Sequence, residues 1–435
     1  MTTPVMSSAA ESYVASFDQL SAGEAPNALQ ALRRAAFEQF AAMGFPTTKN
    51  EDWHFTSVSP IADQEFALLA TPTGDVRREE LAPFLLGMAG HVMTFVNGRF
   101  DASLSDLAAL PKGVTLCDLA TAWTSAPALA ARVGKQTGYQ HAAFTALNTA
   151  FMTDGAVLEI AKDVEVEQPI HLLFVTDATA AKGMMHPRNL IVVGRNAKAS
   201  VIESYVSLSD AMYLTNHVTE VSIADGATLR HYKMQREAAR ALHVGTVEVA
   251  QARDSHYISF SLSTGGRLSR SNIYTTLDGD GCGATLNGLV MLGDEQHADV
   301  QTQIIHAQPN CYSRELYKNV LDDSSHGVFN GKVYVHPVAQ KTDGKQTNKT
   351  LLLSEAAHMD SKPQLEIFAD DVKCTHGATI GQIDETALFY LKSRGISNAL
   401  ARQLLTYAFA ADVLETIELD PVRESLERLA LERFV

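Results

Sequence analysis

The chain has 435 residues, and its 50 acidic and 35 basic side chains give a formal net charge of −15 at neutral pH. That charge repels phosphates and anionic lipids, and the lysines and arginines are scattered, so we expect neither nucleic acid nor membrane as a partner. No apolar run approaches the roughly 20 residues that a membrane-spanning helix needs. The start, MTTPVMSSAAESY, lacks the basic and apolar segments of a signal peptide, which predicts a cytoplasmic protein.

The N-terminal region, residues 1–150, is predicted to be largely helical. In residues 27–43 apolar side chains recur every three or four positions, and Gly44 and Pro46 then favour a stop. The loop that follows, TTKNEDWHFTSV, contains Trp53, whose ring we interpret as sealing the loop onto the domain; a ligand contact is the alternative. Residues 91–100 (HVMTFVNGRF) are typical of a β-hairpin, and the Ala-rich residues 119–149 favour helix.

Residues 151–381 carry short β-branched runs separated by Gly, Asn and Asp, and these runs repeat. Successive turn positions are spaced by 29, 29, 28 and 28 residues; they are Asn196, Asp225, Asp254, Cys282 and Asn310. A near-constant step followed by alternating apolar positions predicts stacked coils of a β-solenoid, each burying its inward face against the next. The alternative is a coincidence among frequent turn residues.

Residues 382–435 are predicted to be helical. Asp384 is a suitable N-cap, Gly395 suits a left-handed C-terminal cap, and Ser397 suits the N-cap of the next helix. That helix carries an apolar stripe formed by Leu400, Leu404, Ala408, Ala411 and Leu414. A further short helix is predicted to start at Pro421. The predicted architecture is a β-solenoid with a helical cap at each end.

Enzyme motifs are missing from the sequence. The stretch around Gly344-Lys345-Gln346 lacks the upstream glycine and the hydroxyl of a phosphate-binding loop, and neither a Gly-x-Ser-x-Gly elbow nor a His-Glu-x-x-His helix occurs. The adjacent Asp370 and Asp371 would face opposite ways on a strand, which disfavours a shared proton. We therefore expect a chain that catalyses no reaction and does not hydrolyse ATP by itself.

The segment DVKCTHGATIGQ is the clearest candidate for metal chemistry. On a strand, Cys374 and His376 would point to the same face, where a thiolate and an imidazole could approach one metal ion. The alternative is a small core cysteine beside a hydrogen-bonded edge histidine. Cys282 and Cys311 are interpreted as packed thiols, and the four widely spaced cysteines predict no metal site built from thiolates alone.

These residues resemble the SufB/SufD family of iron–sulfur cluster assembly proteins. The resemblance is carried by GKVYV, by KPQLEIFADDVKCTHGATIGQIDETALFYLKSRGIS and by ARQLLTYAFAADVLE in the C-terminal part. In the N-terminal part it is carried by GFPTTKNEDWHFTSV and FVNGRF.

Within that family the chain is more similar to SufD than to SufB. It has the helical N-terminal region with the tryptophan segment. Where SufB has its cluster-handling cysteine, this chain has Asn348 or Lys349, and where SufB has a glutamate after the histidine, it has Gly377. These departures argue against autonomous cluster assembly.

The resemblance implies a right-handed parallel β-helix and two partners, a SufB-like subunit and a SufC-like ATPase. It places His376 at the SufB interface as a candidate iron or cluster ligand, with Cys374 as the second candidate. It also implies ATPase docking on residues 382–435, where the predicted contact residues are Tyr390, Arg394, Leu400 and Leu404. No cofactor would be held permanently; a nascent cluster would be shared transiently with SufB, and ATP would act only through SufC.

Two other functions stay open at this stage. A β-helix carbohydrate-active enzyme would need aromatic and carboxylate side chains along one face, and an aromatic content of 7% with no carboxylate pair disfavours it. A purely structural homodimer would be distinguished by failure to copurify with an ATPase.

Overall fold

The computed structural model describes residues 8–22, 28–69, 76–88, 90–107 and 110–433. Residues 1–7, on which the absence of a signal peptide was partly argued, and residue 27, where the first predicted helix begins, lie outside this part. Within the described residues, no helix is long and apolar enough to cross a membrane.

Ten α-helices are formed by the described residues: α1 Ser8–Ser21, α2 Ala28–Met43, α3 Ser59–Ala62, α4 Arg78–Leu81, α5 Leu119–Ser125, α6 Pro127–Ala130, α7 Ala143–Phe151, α8 Glu385–Ser393, α9 Asn398–Leu414 and α10 Asp420–Arg433. The first strands are β1 Ala67–Leu68, β2 His91–Val96, β3 Arg99–Phe100, β4 Val114–Asp118, β5 Ala156–Ile160, β6 Ile170–Thr176, β7 Gly183–Met185 and β8 Arg188–Val193. The longer strands are β9 Lys198–Ser207, β10 Leu214–Ile223, β11 Thr228–Arg236, β12 Leu242–Gln251, β13 His256–Ser263, β14 Leu268–Leu277, β15 Gly283–Leu292, β16 His297–His306, β17 Tyr312–Leu321, β18 His326–Val335, β19 Asp343–Leu352, β20 His358–Ile367 and β21 Lys373–Gln382.

The long strands form two sheets of a parallel β-solenoid, which confirms the predicted fold class. Sheet A has the order β20-β18-β16-β14-β12-β10-β8-β5-β4, with β7 and β1 attached beside β10. Sheet B has the order β21-β19-β17-β15-β13-β11-β9-β6-β2-β3. From β8 onward the chain alternates between the sheets, so each coil adds one strand to each. The predicted hairpin at residues 91–100 forms β2 and β3, and it extends sheet B.

The repeated turns stack on one another, as the spacing predicted. Asn196 donates its backbone N–H to the carbonyl of Asp225 at 2.9 Å, and Asn310 likewise donates to Gln340 at 3.0 Å. Asn196, Asp254 and Asn310 all have left-handed backbone, with φ of 56°, 55° and 59°. Asn and Asp tolerate this conformation better than other side chains, which is why they mark the turns.

The helical regions lie along the outer faces of the sheets. Aromatic side chains of α1, α2 and α7 pack on sheet A, and α9 and α10 bury residues such as Val413 and Leu426 against sheet B. The C-terminal helices therefore pack on the apolar outer face of sheet B and do not cap the end of the solenoid as predicted. The predicted N-cap residues of α8 and α9 are confirmed: the Asp384 side chain accepts from the backbone N–H of Thr386, and the Ser397 side chain accepts from that of Leu400.

The interior of the solenoid is partly polar, which the sequence pattern did not predict. The Lys233 ammonium is buried and donates to the Ser271 hydroxyl at 3.0 Å. His243 Nδ1 lies 2.7 Å from the Glu237 carboxylate. Burial lowers the pKa of Lys233 to about 8. Hydrogen bonding to neighbouring coils lets these charged groups occupy positions that alternation alone would assign to apolar side chains.

Candidate functional site at the open end of the solenoid

The solenoid ends in a coil whose strands lack a further neighbour in the described chain. β20 is the last strand of sheet A and β21 is the last strand of sheet B. Residues 375–382 of β21 are all exposed, whereas the central strands of the same sheet B are largely buried. An edge strand with free N–H and C=O groups can pair with another chain.

Cys374 and His376 lie on the same face of β21, the face that continues the inward side of sheet B. Cys374 is the register partner of Gly344 and is half-buried, packing beside Val333 and Ala369. Burial raises the pKa of its thiol. His376 is exposed, and within the described chain its ring makes neither a hydrogen bond nor an ion pair. The structure thus separates a packed thiol from an accessible imidazole.

His376 stands at the end of an inward-facing row that we call the His376 column, formed by Glu315 (β17), Gln346 (β19) and His376 (β21). These residues are register partners across the three strands. Gln346 Nε2 donates to Glu315 Oε2 at 2.7 Å, and burial raises the pKa of that carboxyl to about 7. Gln346 Oε1 is buried with no hydrogen-bond partner among the described residues, leaving an acceptor in the row directly behind the histidine.

Sequence reasoning placed neither Glu315 nor Gln346 in this row. The repeat spacing did not place them in line with His376, because the steps along this row are 31 and 30 residues, longer than the 28 or 29 of the earlier turns. The Gln346 amide carbonyl is next to His376 in this row. A carbonyl in that position can accept a hydrogen bond from one nitrogen of the imidazole and leave the other ring nitrogen to bind a metal.

The predicted docking residues lie on α8 and α9, except Arg394, which is the C-cap residue of α8, and three of the four are exposed apolar side chains. Tyr390 is 56% exposed, Leu400 46% and Leu404 38%. The Arg394 guanidinium lies over the Tyr390 ring at 5.1 Å. Phe389, which the sequence analysis did not single out, is the most exposed at 73%.

The apolar stripe predicted on α9 is divided in the structure. Leu414 is buried, but Leu400, Leu404 and Ala408 are exposed. The helix instead buries Ala401, Ala410 and Val413, together with Leu414. An exposed row of leucines on a helix that already buries another face suits a partner surface.

The Trp53 segment fastens the N-terminal region to sheet A, in agreement with the sequence interpretation. The Trp53 ring stacks on Phe144, with centroids 5.3 Å apart, and the Arg270 guanidinium lies 3.7 Å from its centroid. Arg270 also donates to the carbonyl of Asp52 at 2.7 Å and to the Asp299 carboxylate. Cys282 and Cys311 are both buried in the solenoid core, as expected for packed thiols.

Two protein-family models match this chain, one in its N-terminal part and one in its C-terminal part. Residues 174–409 match the model of the SufBD core domain of the SUF system for FeS cluster assembly, and residues 7–172 match that of the SufBD protein N-terminal region. An iron-sulfur cluster assembly SufBD family protein of Synechocystis is 34% identical over 91% of this chain and 89% of its own length. The iron-sulfur cluster assembly proteins SufD of Escherichia coli and Bacillus subtilis are 32% and 29% identical, over 89% and 98% of both chains.

Proposed function

The chain belongs to the SufBD family of iron–sulfur cluster assembly proteins, and from that premise we propose that it is a SufD-like scaffold subunit, not an enzyme. In this proposal it pairs with a SufB-like subunit, docks a SufC-like ATPase and acts in the cytoplasm. The observation that carries the proposal is the open terminal coil, which presents His376 at the end of the solenoid.

Pairing with a second solenoid would complete the open coil. A homologous chain has strands of matching spacing, so its terminal strands could satisfy the edge N–H and C=O groups of β20 and β21. The inward face of the last coil would then be covered, with His376 at the junction. Because a SufB-like partner carries the same fold, it fits this edge better than an unrelated protein.

At that junction His376 would contribute one imidazole ligand to iron, and the partner would contribute a thiolate. Iron accepts both ligand types, and one imidazole alone would hold it weakly. The nascent cluster is therefore cargo, shared transiently with the partner, and the chain needs no permanent cofactor. Cys374 is the second candidate ligand, and its packing against Val333 and Ala369 makes it less accessible.

The ATPase would dock on the exposed row of α8 and α9, which includes Tyr390, Arg394, Leu400 and Leu404. Burying these apolar side chains in a partner would remove them from water, whereas no described element of this chain covers them. ATP would then act only through the docked subunit.

A homodimer of this chain alone is the second candidate, favoured by the same open coil. Two copies could pair through their terminal strands when no SufB-like subunit is present. Such a pair would bring two His376 side chains to the junction and no thiolate ligand from a SufB-like partner.

The test is capture of identified partners by the full chain from the lysate of its own cells. We expect the wild-type chain to retain a SufB-like protein and a SufC-like ATPase. The variant Leu400→Asp/Leu404→Asp should lose the ATPase and keep the SufB-like protein. Val338→Asp is the matched control, because Val338 is 63% exposed and lies in the turn between β18 and β19, outside the docking helices.

Two outcomes would contradict the proposal. Absence of both partners from wild-type captures would overturn the scaffold function. Undiminished ATPase capture by the double-leucine variant would place the docking site elsewhere.

A further inference from the structure

Three histidines form a row on the outer face of sheet A, at its open end. His297, His326 and His358 are the first residues of β16, β18 and β20, and they are register partners. Their ring centroids are 4.6 Å apart for the first pair and 5.1 Å for the second. Asp360 follows His358 by two residues, so strand alternation points both side chains to the same side.

We propose that His326, His358 and Asp360 form a binding site for a divalent first-row transition-metal ion such as Fe²⁺, Co²⁺ or Zn²⁺. The Asp360 Oδ2 atom lies 2.8 Å from His326 Nε2 and 3.4 Å from His358 Nε2. One ligand atom from each residue lies within 4.8 Å of the other two. The donor set is two imidazoles and one carboxylate, which suits these borderline ions.

The spacing of the donor atoms fits one shared ion. Ligands that bind zinc tetrahedrally at about 2.0–2.1 Å lie roughly 3.3 Å from one another. Both distances to Asp360 are close to that value, and the two imidazole nitrogens lie within 4.8 Å of each other, so only a short adjustment is needed. A small rotation of His358, whose side chain is 65% exposed, can supply this movement.

The neighbouring groups leave the site open without supplying a competing ligand. His297 Nε2 already contacts the Thr56 hydroxyl at 2.9 Å, so this ring forms a wall of the site. The nearest cation along β20, Lys362, is paired with Glu51 at 2.9 Å, which reduces its repulsion of a metal ion. With three ligands from the chain, the ion would keep coordination positions for water or for a partner's side chain.

This site goes beyond the proposed function, because it lies on sheet A whereas His376 lies on sheet B. It does not require a SufB-like partner. Its failure would therefore leave the scaffold proposal untouched, and failure of the scaffold proposal would leave this site standing.

The experiment titrates Co²⁺ into the tag-free, metal-free full chain and follows visible absorption, with Zn²⁺ as the competitor. We expect one equivalent of Co²⁺ to bind with the spectrum of nitrogen and oxygen ligands and to be displaced by Zn²⁺. His358→Ala and Asp360→Asn should each weaken the binding by at least roughly tenfold. Circular dichroism would verify folding, which both changes should preserve because these side chains are partly exposed.

Two controls separate this site from other ligands of the chain. His141→Ala removes another exposed histidine and should leave Co²⁺ binding unchanged. Cys374→Ser/His376→Ala removes the other candidate ligand pair and should leave the Co²⁺ spectrum of nitrogen and oxygen ligands in place. The proposal is overturned if the wild-type chain binds no equivalent of Co²⁺, if His358→Ala and Asp360→Asn bind as the wild type does, or if only the Cys374/His376 variant loses binding.

Discussion

Replacing Glu315 with Gln should change how the stability of the last coils depends on pH. Burial raises the pKa of the Glu315 carboxyl from 4.5 to about 7. Below pH 4.5 both the folded and the unfolded chain hold the proton, so the group costs nothing. Between pH 4.5 and 7 the unfolded chain releases the proton while the folded chain retains it, and stability is lost as pH rises. Above pH 7 the loss is constant.

The size of the effect follows from this shift. One pKa unit corresponds to about 1.4 kcal/mol, so 2.5 units amount to roughly 3 kcal/mol, of which about 2.5 kcal/mol develops between pH 5 and pH 8. Glutamine at this position carries no titrating proton, and its carbonyl can still accept from Gln346. Glu315→Gln should therefore gain about 2.5 kcal/mol relative to the wild type on going from pH 5 to pH 8.

Hydrogen exchange measured by mass spectrometry suits this test, because a solenoid can open coil by coil and a single unfolding midpoint would average over them. The observable is the opening free energy of peptides from β17 and β19 at pH 5 and pH 8. Glu355→Gln is the matched control, since Glu355 is exposed. Equal effects of Glu315→Gln at the two pH values would refute the reasoning.

Three further predictions concern the helices, the Trp53 segment and ATP. Asp384→Ala should remove the N-cap of α8 and weaken hydrogen-exchange protection there by about 1 kcal/mol, with solenoid protection unchanged; equal protection of α8 in both proteins would contradict this. Trp53→Ala should lose its stacking on Arg270 and Phe144 and make residues 46–56 more sensitive to limited proteolysis, while a variant as resistant as the wild type would show that the ring does not fasten the segment. The purified chain should hydrolyse no ATP, because it lacks a phosphate-binding loop, and turnover that persists through exhaustive purification would rule this out.

The turns and caps could be predicted from sequence because each depends on local chemistry. Asn196, Asp254 and Asn310 lie in turns, as their spacing predicted, and they adopt left-handed backbone there. Asp384 and Ser397 cap α8 and α9 as their positions indicated. Such features require only the residue type and its neighbours in the chain.

The faces and registers could not be predicted in the same way. Whether α9 buries Leu400 or Ala401 depends on the shape of sheet B, which the helix sequence does not encode. The step from His326 to His358 is longer than the repeat spacing, so the spacing alone does not predict that these two residues pair. Buried Lys233 and Glu315 occupy positions that binary alternation assigns to apolar side chains, because contacts with neighbouring coils offset their desolvation.

The most direct test of the central claim compares His376→Ala with Cys374→Ser in cells that depend on this assembly pathway. His376 is exposed and Cys374 is half-buried, so both variants should fold and capture the same partners as the wild type. We expect iron–sulfur enzyme activities to fall sharply with His376→Ala and much less with Cys374→Ser. If His376→Ala supports wild-type activities while Cys374→Ser does not, the thiol is the ligand and the assignment of His376 is wrong.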